Sequence, residues 1–367
     1  MSDEIKKRVV LASVLKPVDD TRMLEKLGIT LTEDGFEVFI IGYPSEGQPA
    51  VAGITILPLP AFRRTSLKRF TIPWIVLKKI NQVKPQIVIA NTPELLFVML
   101  LSKLLYKRKI VYDILENYYR NIRHTRTYPP VVKTLLASMV RLKEIILSPF
   151  IDLFFLAEKG YAKELAFARQ PVVLENKLPR KIAEHFKTNR SSYHSLLFSG
   201  TLAPTTGVFE AIKLGKDLHA VNPKYSLTII GFAALPDVLS KINRDIADAP
   251  FIKLIGGDKL VPHEEILNEI SKAGTGIIIY PPNAGTESSI PTKLYEYLAL
   301  KLPVVISHTY NSIELIQRCH AGVVLPHDIN PAILNEQLSS SDYTFDCGED
   351  IFWEAESKKL TDALKSI

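Results

Sequence analysis

The stretch NAGTESSIPTKLYEYLALKLPVVIS, Asn283 to Ser307, decides how the fold of this chain is read. It gives a loop, a helix, a turn and a strand. Asn283 to Ser289 holds Gly, Thr, Glu and two Ser, all small or polar. Pro291 suits a first helical turn, where its missing N–H has no partner to lose. Thr292 to Leu300 are good helix formers, Pro303 ends the pattern, and Val304 to Ile306 reads as a buried strand. The strand ahead of the loop is Gly276 to Tyr280, so the loop carries the chain from a strand end to a helix start. Ligands bind at such places in open parallel sheets, and a helix start offers free N–H groups to a phosphate. Lys293 and Glu296 stand three apart and share one face of that helix. A first-turn lysine opposes the helix dipole at a cost of about 0.3–1 kcal/mol, which a bound anion reverses. A solvated Lys–Glu pair is the plainer reading of the same two residues.

Outward from this unit the same alternation runs along the chain. Strands are expected at Arg8–Val14, Glu37–Ile41, Ile54–Leu59, Gln86–Ala90, Lys109–Asp113, Asp152–Leu156 and Val172–Leu174. Helices are expected over Thr21–Asp34, from Pro73 to Val83, over Pro93–Tyr106 and over Pro130–Leu147. The segment Asn176 to Ser192 is polar and poor in β-branched residues, and reads as a linker. Strands resume at Ser195–Phe198, Leu227–Ile230, Ile252–Ile255, Gly276–Tyr280, Val304–Ile306 and Gly322–Leu325, and Ile351–Leu364 reads as a final helix. Short connections between alternating elements predict an α/β chain of two doubly wound, Rossmann-like domains. The expected division is 1–176 with the C-terminal helix 351–367, and 177–350.

Length and composition bound the rest. The 367 residues suffice for two cores. With 47% hydrophobic and 23% charged residues the chain is globular rather than disordered. Cys319 and Cys347 make no disulfide framework and sit in no metal-ligand spacing, which predicts free thiols in a reducing cytoplasm. No signal-peptide pattern opens the sequence, and no apolar run reaches the ~18 residues of a spanning helix. The net charge of +6 is uneven. Residues 1–176 hold 26 Lys/Arg against 17 Asp/Glu, or +9, and the remainder holds 19 against 22, or −3. No acid lies between Glu46 and Glu94, while Arg63, Arg64, Lys68, Arg69, Lys78, Lys79 and Lys84 do. Such a half attracts anionic partners. The span 62–84 mixes these charges with Phe70, Trp74 and Leu77, as a segment lying on the inner face of an anionic membrane would; a core-facing helix with a solvated basic side is the alternative. No nucleic-acid motif accompanies the charge, so nucleic acid is not expected as a partner.

PTKLYEYLALKLPVV resembles the donor-binding signature of family 4 glycosyltransferases, which have the two-domain GT-B fold. In that family a Glu of this helix binds the ribose hydroxyls of a nucleotide sugar, and it falls on Glu296. The family pattern carries another Glu eight positions earlier, which is Ser288 here, with Glu287 one place off. The order of RVVLASVLKPVDDTRMLEKLG, KPQIVIANTPELL, KIVYDILENYY, FSGTLAPTTGVFEAI and LTIIGFA is similar to the family layout over nearly the whole chain. The resemblance implies a nucleotide diphosphate sugar as substrate, retention at the anomeric carbon, no cofactor and no required metal. It also implies a last helix that crosses back to the first domain.

Four sites follow. Lys293 with Glu287, Ser288, Ser289 and Ile290 would hold the sugar or phosphates beside Glu296. Ser199 to Gly207 leaves a strand and enters a helix, so Gly200, Thr201 and Thr206 would close over the diphosphate; Thr201 and Thr206 stand where the family carries basic residues, and Thr206 is equally a helix cap. In YDILEN, Leu115 replaces the family's His, and Asp113 or Glu116 would act as base, or cap and be solvated. After the first strand, Asp19 and Arg22 would meet the acceptor, with Asp20 as a cap. The expected activity is transfer of a sugar to a hydroxyl acceptor, anionic or lipid-linked. The departures at Leu115, Thr201, Thr206 and Ser288 support an alternative, a non-catalytic relative that binds nucleotide sugar or a partner subunit. A sugar-nucleotide epimerase shares the fold but not the family 4-like helix.

Overall fold

Largely apolar runs of two to ten residues become thirteen strands among the described residues, and each sheet they form is parallel throughout. The computed structural model describes residues 6–45, 50–62, 66, 68–124, 129–190, 192–281, 290–307, 312–326, 328–340 and 342–367. The chain divides into two compact units, Met1–Asn176 with Trp353–Ile367, and Lys177–Phe352.

In the first unit the strands are β1 (Arg8–Pro17), β2 (Glu37–Tyr43), β3 (Ile54–Ile56), β4 (Ile87–Ala90), β5 (Lys109–Ile114), β6 (Leu153–Leu156) and β7 (Val172–Val173). They lie in the order β3-β2-β1-β4-β5-β6-β7. Successive side chains alternate between the two faces. Val10, Ala12, Val88, Ala90 and Ile110 face the helices Lys68–Val83 and Leu96–Tyr106. Val9, Leu11, Ile87 and Ile89 pack with Leu24, Leu27 and Leu31 from the segment Arg22–Glu33, and with Trp353, Leu360 and Leu364. The last two belong to helix Glu354–Lys365, which is held to the first unit by Trp353 Nε1 donating to Thr30 Oγ1 (2.8 Å) and by Lys365 on Asp34 (2.7 Å).

The second unit has β8 (Ser195–Thr201), β9 (Ser226–Phe232), β10 (Ile252–Gly257), β11 (Thr275–Ile278), β12 (Val304–Ser307) and β13 (Gly322–Leu325), in the order β10-β9-β8-β11-β12-β13. Cys319 and Cys347 are buried in its core as free thiols.

Three features depart from the sequence reading by more than an element end. The helix expected to open at Pro73 begins at Lys68, so Pro73 lies inside it. One backbone hydrogen bond is lost there, but Ile72, Val76, Ile80 and Val83 are buried on the sheet and hold the helix through it. Residues Arg22–Gly28 wind as a π-helix before α geometry begins at Ile29. The polar stretch read as a linker contains a helix, Arg180–His185, because Leu178 and Ala183 reach the second unit's core.

Candidate functional site

Where a sheet is wound outward in both directions from its middle, two adjacent strands send their connections to opposite sides and leave a crevice at their C-terminal ends. In the second unit that switch point lies between β8 and β11, neighbours in the order of strands. β8 ends in Ser199, Gly200 and Thr201. β11 leads to the loop whose described end is Ile290, followed by the helix Thr292–Ala299 with Pro291 in the capping position rather than the first turn. Glu287, Ser288 and Ser289 lie outside the described residues.

The helix is tied to the end of β8 by its own side chains. Lys293 Nζ donates to the carbonyl of Ser199 (3.1 Å), and Tyr297 OH lies 2.9 Å from Ser199 Oγ and accepts from its N–H (3.2 Å). Lys293 is only 8% exposed, with its ammonium over the rings of Phe198 (4.0 Å) and Tyr280 (5.1 Å). Burial pulls its pKa from the usual lysine value down to about 7, against the opposing pull of Glu296. The plainer reading of a solvated lysine does not hold: this is a desolvated amine at a strand end. One turn on, Glu296 Oε1 accepts from His263 Nε2 at 3.1 Å. His263 begins the helix His263–Lys272 and fixes the carboxylate beside the lysine. The sequence reading singles out neither His263 nor Tyr297, and takes Ser199 only as the start of the Ser199–Gly207 turn, since no local spacing links residues 33 to 98 positions apart.

Glycines clear the floor of this site. Gly200, Gly231 and Gly256 are in register across β8, β9 and β10. A Cβ on Gly231 would stand 1.7 Å from the carbonyl oxygen of Gly200, so these strand ends meet without side chains. The turn after β8 is closed by Thr206, whose hydroxyl accepts from Ala203 N–H (3.1 Å) and donates to the Thr201 carbonyl (2.6 Å). Thr206 is therefore a tie within the turn, while Thr201 is exposed. Gly207 follows at φ +81°, and a Cβ there would lie 1.5 Å from Ile279 O. Gly207→Ala is expected to cost on the order of 3 kcal/mol from the left-handed backbone and the clash. A urea midpoint equal to that of the wild type would refute the close approach.

No protein-family model matches this sequence, and no curated protein matches it. Solved structures do. A structure of Anabaena Alr3699/HepE in complex with UDP and glucose superposes with a TM-score of 0.66 at 12% identity, over 98% of this chain and 99% of that one. AviGT4, a glycosyltransferase involved in avilamycin A biosynthesis, gives 0.65 at 14% identity over 98% and 97%. Sucrose-phosphate synthase from Thermosynechococcus elongatus gives 0.67 at 11% identity over 98% and 99%.

The fold is GT-B.

In the first GT-B unit the sequence-based site residues part company. Arg22 Nε and Nη2 donate to the two carboxylate oxygens of Asp113, at 2.8 and 2.6 Å, and both side chains are buried. Arg22 Nη1 also donates to Leu174 O and Asn176 Oδ1, each at 2.8 Å. Arg22, expected at the acceptor, and Asp113, expected as a base, instead occupy each other, and together they bind β5 to the end of β7. Asp20 caps the following turn as expected, its Oδ1 accepting from Arg22 N (3.1 Å) and Met23 N (3.2 Å). Asp19 is exposed, and so is Glu116, whose Oε2 accepts from Asn121 Nδ2 at 2.7 Å.

Proposed function

We propose that this chain transfers a sugar from a nucleotide diphosphate sugar to a hydroxyl acceptor, with retention and without a required metal or cofactor. One observation carries the reading: a desolvated lysine and a histidine-held carboxylate stand one turn apart at the switch point of a GT-B second unit, above strand ends cleared by glycine. The two side chains divide the donor between them. Lys293 and the N–H groups at the helix start meet the diphosphate, and Glu296 accepts from two ribose hydroxyls. The structures of HepE with UDP support uridine diphosphate as the first probe. The +9 balance of residues 1–176 supports an anionic or lipid-linked acceptor. We place the protein in the cytoplasm at the inner membrane face, in line with its two thiols. Of the two carboxylates read as a base, Asp113 and Glu116, it is Glu116 that is exposed.

The test is calorimetric titration of uridine diphosphate into wild type, Glu296→Ala and Glu296→Gln. Hydrogen bonds to a carboxylate contribute about 1.5–3 kcal/mol each, so alanine should weaken binding by about 2–4 kcal/mol, or roughly 30- to 1,000-fold. Glutamine should lose less. Equal affinity in all three removes Glu296 as the ribose ligand.

Sugar transfer is expected to persist in chelator, since the sequence carries no Asp-x-Asp motif. Loss of transfer in chelator with recovery on adding a divalent ion would contradict this. The withdrawal of Asp113 into an ion pair favours a second reading, a GT-B protein that binds nucleotide sugar without transferring it. Donor affinity that survives with neither hydrolysis nor transfer across a panel of acceptors would decide for it.

A further inference from the structure

Three helices covering one face of the seven-stranded sheet carry apolar side chains on both sides. Their inner sides fill the core. On the outer side, Lys68–Val83 exposes Phe70 (75%) and Trp74. Leu96–Tyr106 exposes Phe97, Leu104, Leu105 and Tyr106. Pro130–Leu147 exposes Val131 (80%), Leu135, Met139, Leu142 and Ile146, a spacing that draws one stripe along its length. Those 18 residues make a stripe about 27 Å long. The patches join: the Trp74 and Phe97 rings are 6.3 Å apart, and the second helix packs against both of the others. Single exposed leucines are ordinary, but a contiguous apolar surface of this extent marks an interaction site.

Charge selects the partner. The three helices carry eight Lys/Arg and one acid, Glu144, which is buried and accepts from Tyr112 OH at 2.9 Å. Exposed Lys78 continues the Phe70–Trp74 row, and exposed Lys107 follows Leu104 and Leu105. A second copy of the chain would bring like charges together. A bilayer of anionic lipid offers the opposite sign at its surface and an apolar layer just below, and amphipathic lysine stems reach between the two. Among the described residues no helix is long and apolar enough to cross a membrane.

We propose that the outer faces of these three helices dock the first unit onto an anionic lipid bilayer, lying on it rather than spanning it. The inference stands on this surface alone and is independent of sugar transfer.

The test is cosedimentation of the full chain with phosphatidylcholine vesicles, with and without phosphatidylglycerol. Binding is expected only with the anionic lipid and should weaken with salt. Trp74 emission should shift to the blue, while buried Trp353 stays constant. Each lysine at such a surface contributes about fivefold, so Lys78→Gln with Lys107→Asn should lower partitioning about 25-fold. Leu135→Ser with Leu142→Ser should lower it at least about tenfold. Both pairs are exposed, so thermal midpoints should hold and a loss of binding will not be a loss of fold. No sedimentation with anionic vesicles, equal binding to pure phosphatidylcholine, or binding unchanged in both variants would overturn the proposal. A dimer in sedimentation velocity that the Leu135/Leu142 variant dissociates, without vesicle binding, would assign the surface to a second copy instead.

Discussion

Lys293→Met is expected to make the protein more stable at neutral pH and worse at holding a diphosphate. In the unfolded chain a lysine keeps its proton up to about pH 10.4. In the fold, burial among Phe198, Tyr280 and Ser199 lowers this to about 7. Between those two pH values the unfolded chain binds the proton and the folded chain does not. Stability therefore climbs as pH rises through that window, by an amount on the order of 5 kcal/mol, and the penalty is fully present below pH 7. Methionine fills the same space without the charge, which at pH 7 should stabilise by about 1–4 kcal/mol. Urea midpoints of the two proteins across this range isolate the effect, because every other titrating group is shared. Parallel curves would show a lysine that stays charged and solvated.

The same group should report the donor. A diphosphate beside Lys293 restores its charge, so binding should take up about half a proton at pH 7 and nearly one near pH 8.5. The uptake is read from how the calorimetric heat varies with the ionisation enthalpy of the buffer. In Lys293→Met it should vanish, together with the roughly 1.5–3 kcal/mol of a charge-assisted hydrogen bond.

Asp113→Ala is expected to cost about 3–5 kcal/mol, because it leaves the Arg22 guanidinium buried without its counter-charge. That is a large share of the roughly 5–15 kcal/mol by which domains are stable. Arg22→Met combined with Asp113→Leu removes both charges and should recover most of the loss. The pattern of a damaging single and a mild double change marks a structural pair. Wild-type stability in Asp113→Ala with abolished transfer would instead restore Asp113 as a base.

The parallel α/β layout was legible because buried strands and short connections leave a local pattern, and Asp20 announced its cap by standing directly before the helical pattern Thr21–Asp34. Pairings across the sheet left no such mark. Arg22 and Asp113 are 91 residues apart, and each is read alone, Arg22 in the segment after the first strand and Asp113 at the end of the strand Lys109–Asp113. Lys293 looked solvated because its surroundings come from strands about 95 residues earlier and from Tyr280. The outer stripe of Pro130–Leu147 did have a signal. Its apolar residues occupy more of the helix than one buried face needs, while the residues it buries are Ala137, Glu144 and Leu147.

The division of the first unit into Met1–Asn176 and Trp353–Ile367 bears on the order of events at the ribosome. Leu360 and Leu364 complete a core whose other walls include Val9, Leu11 and Leu31. All of the second unit is made between them. At about 5–20 residues per second, roughly 10–35 s separate the synthesis of Asn176 from that of Trp353. For that interval the older part of the chain holds an uncovered apolar groove on one sheet face, while the younger part has every strand it needs. The second unit is thus free to finish folding first, and the first waits with its groove exposed to whatever chaperone or neighbouring chain reaches it before Leu360 does.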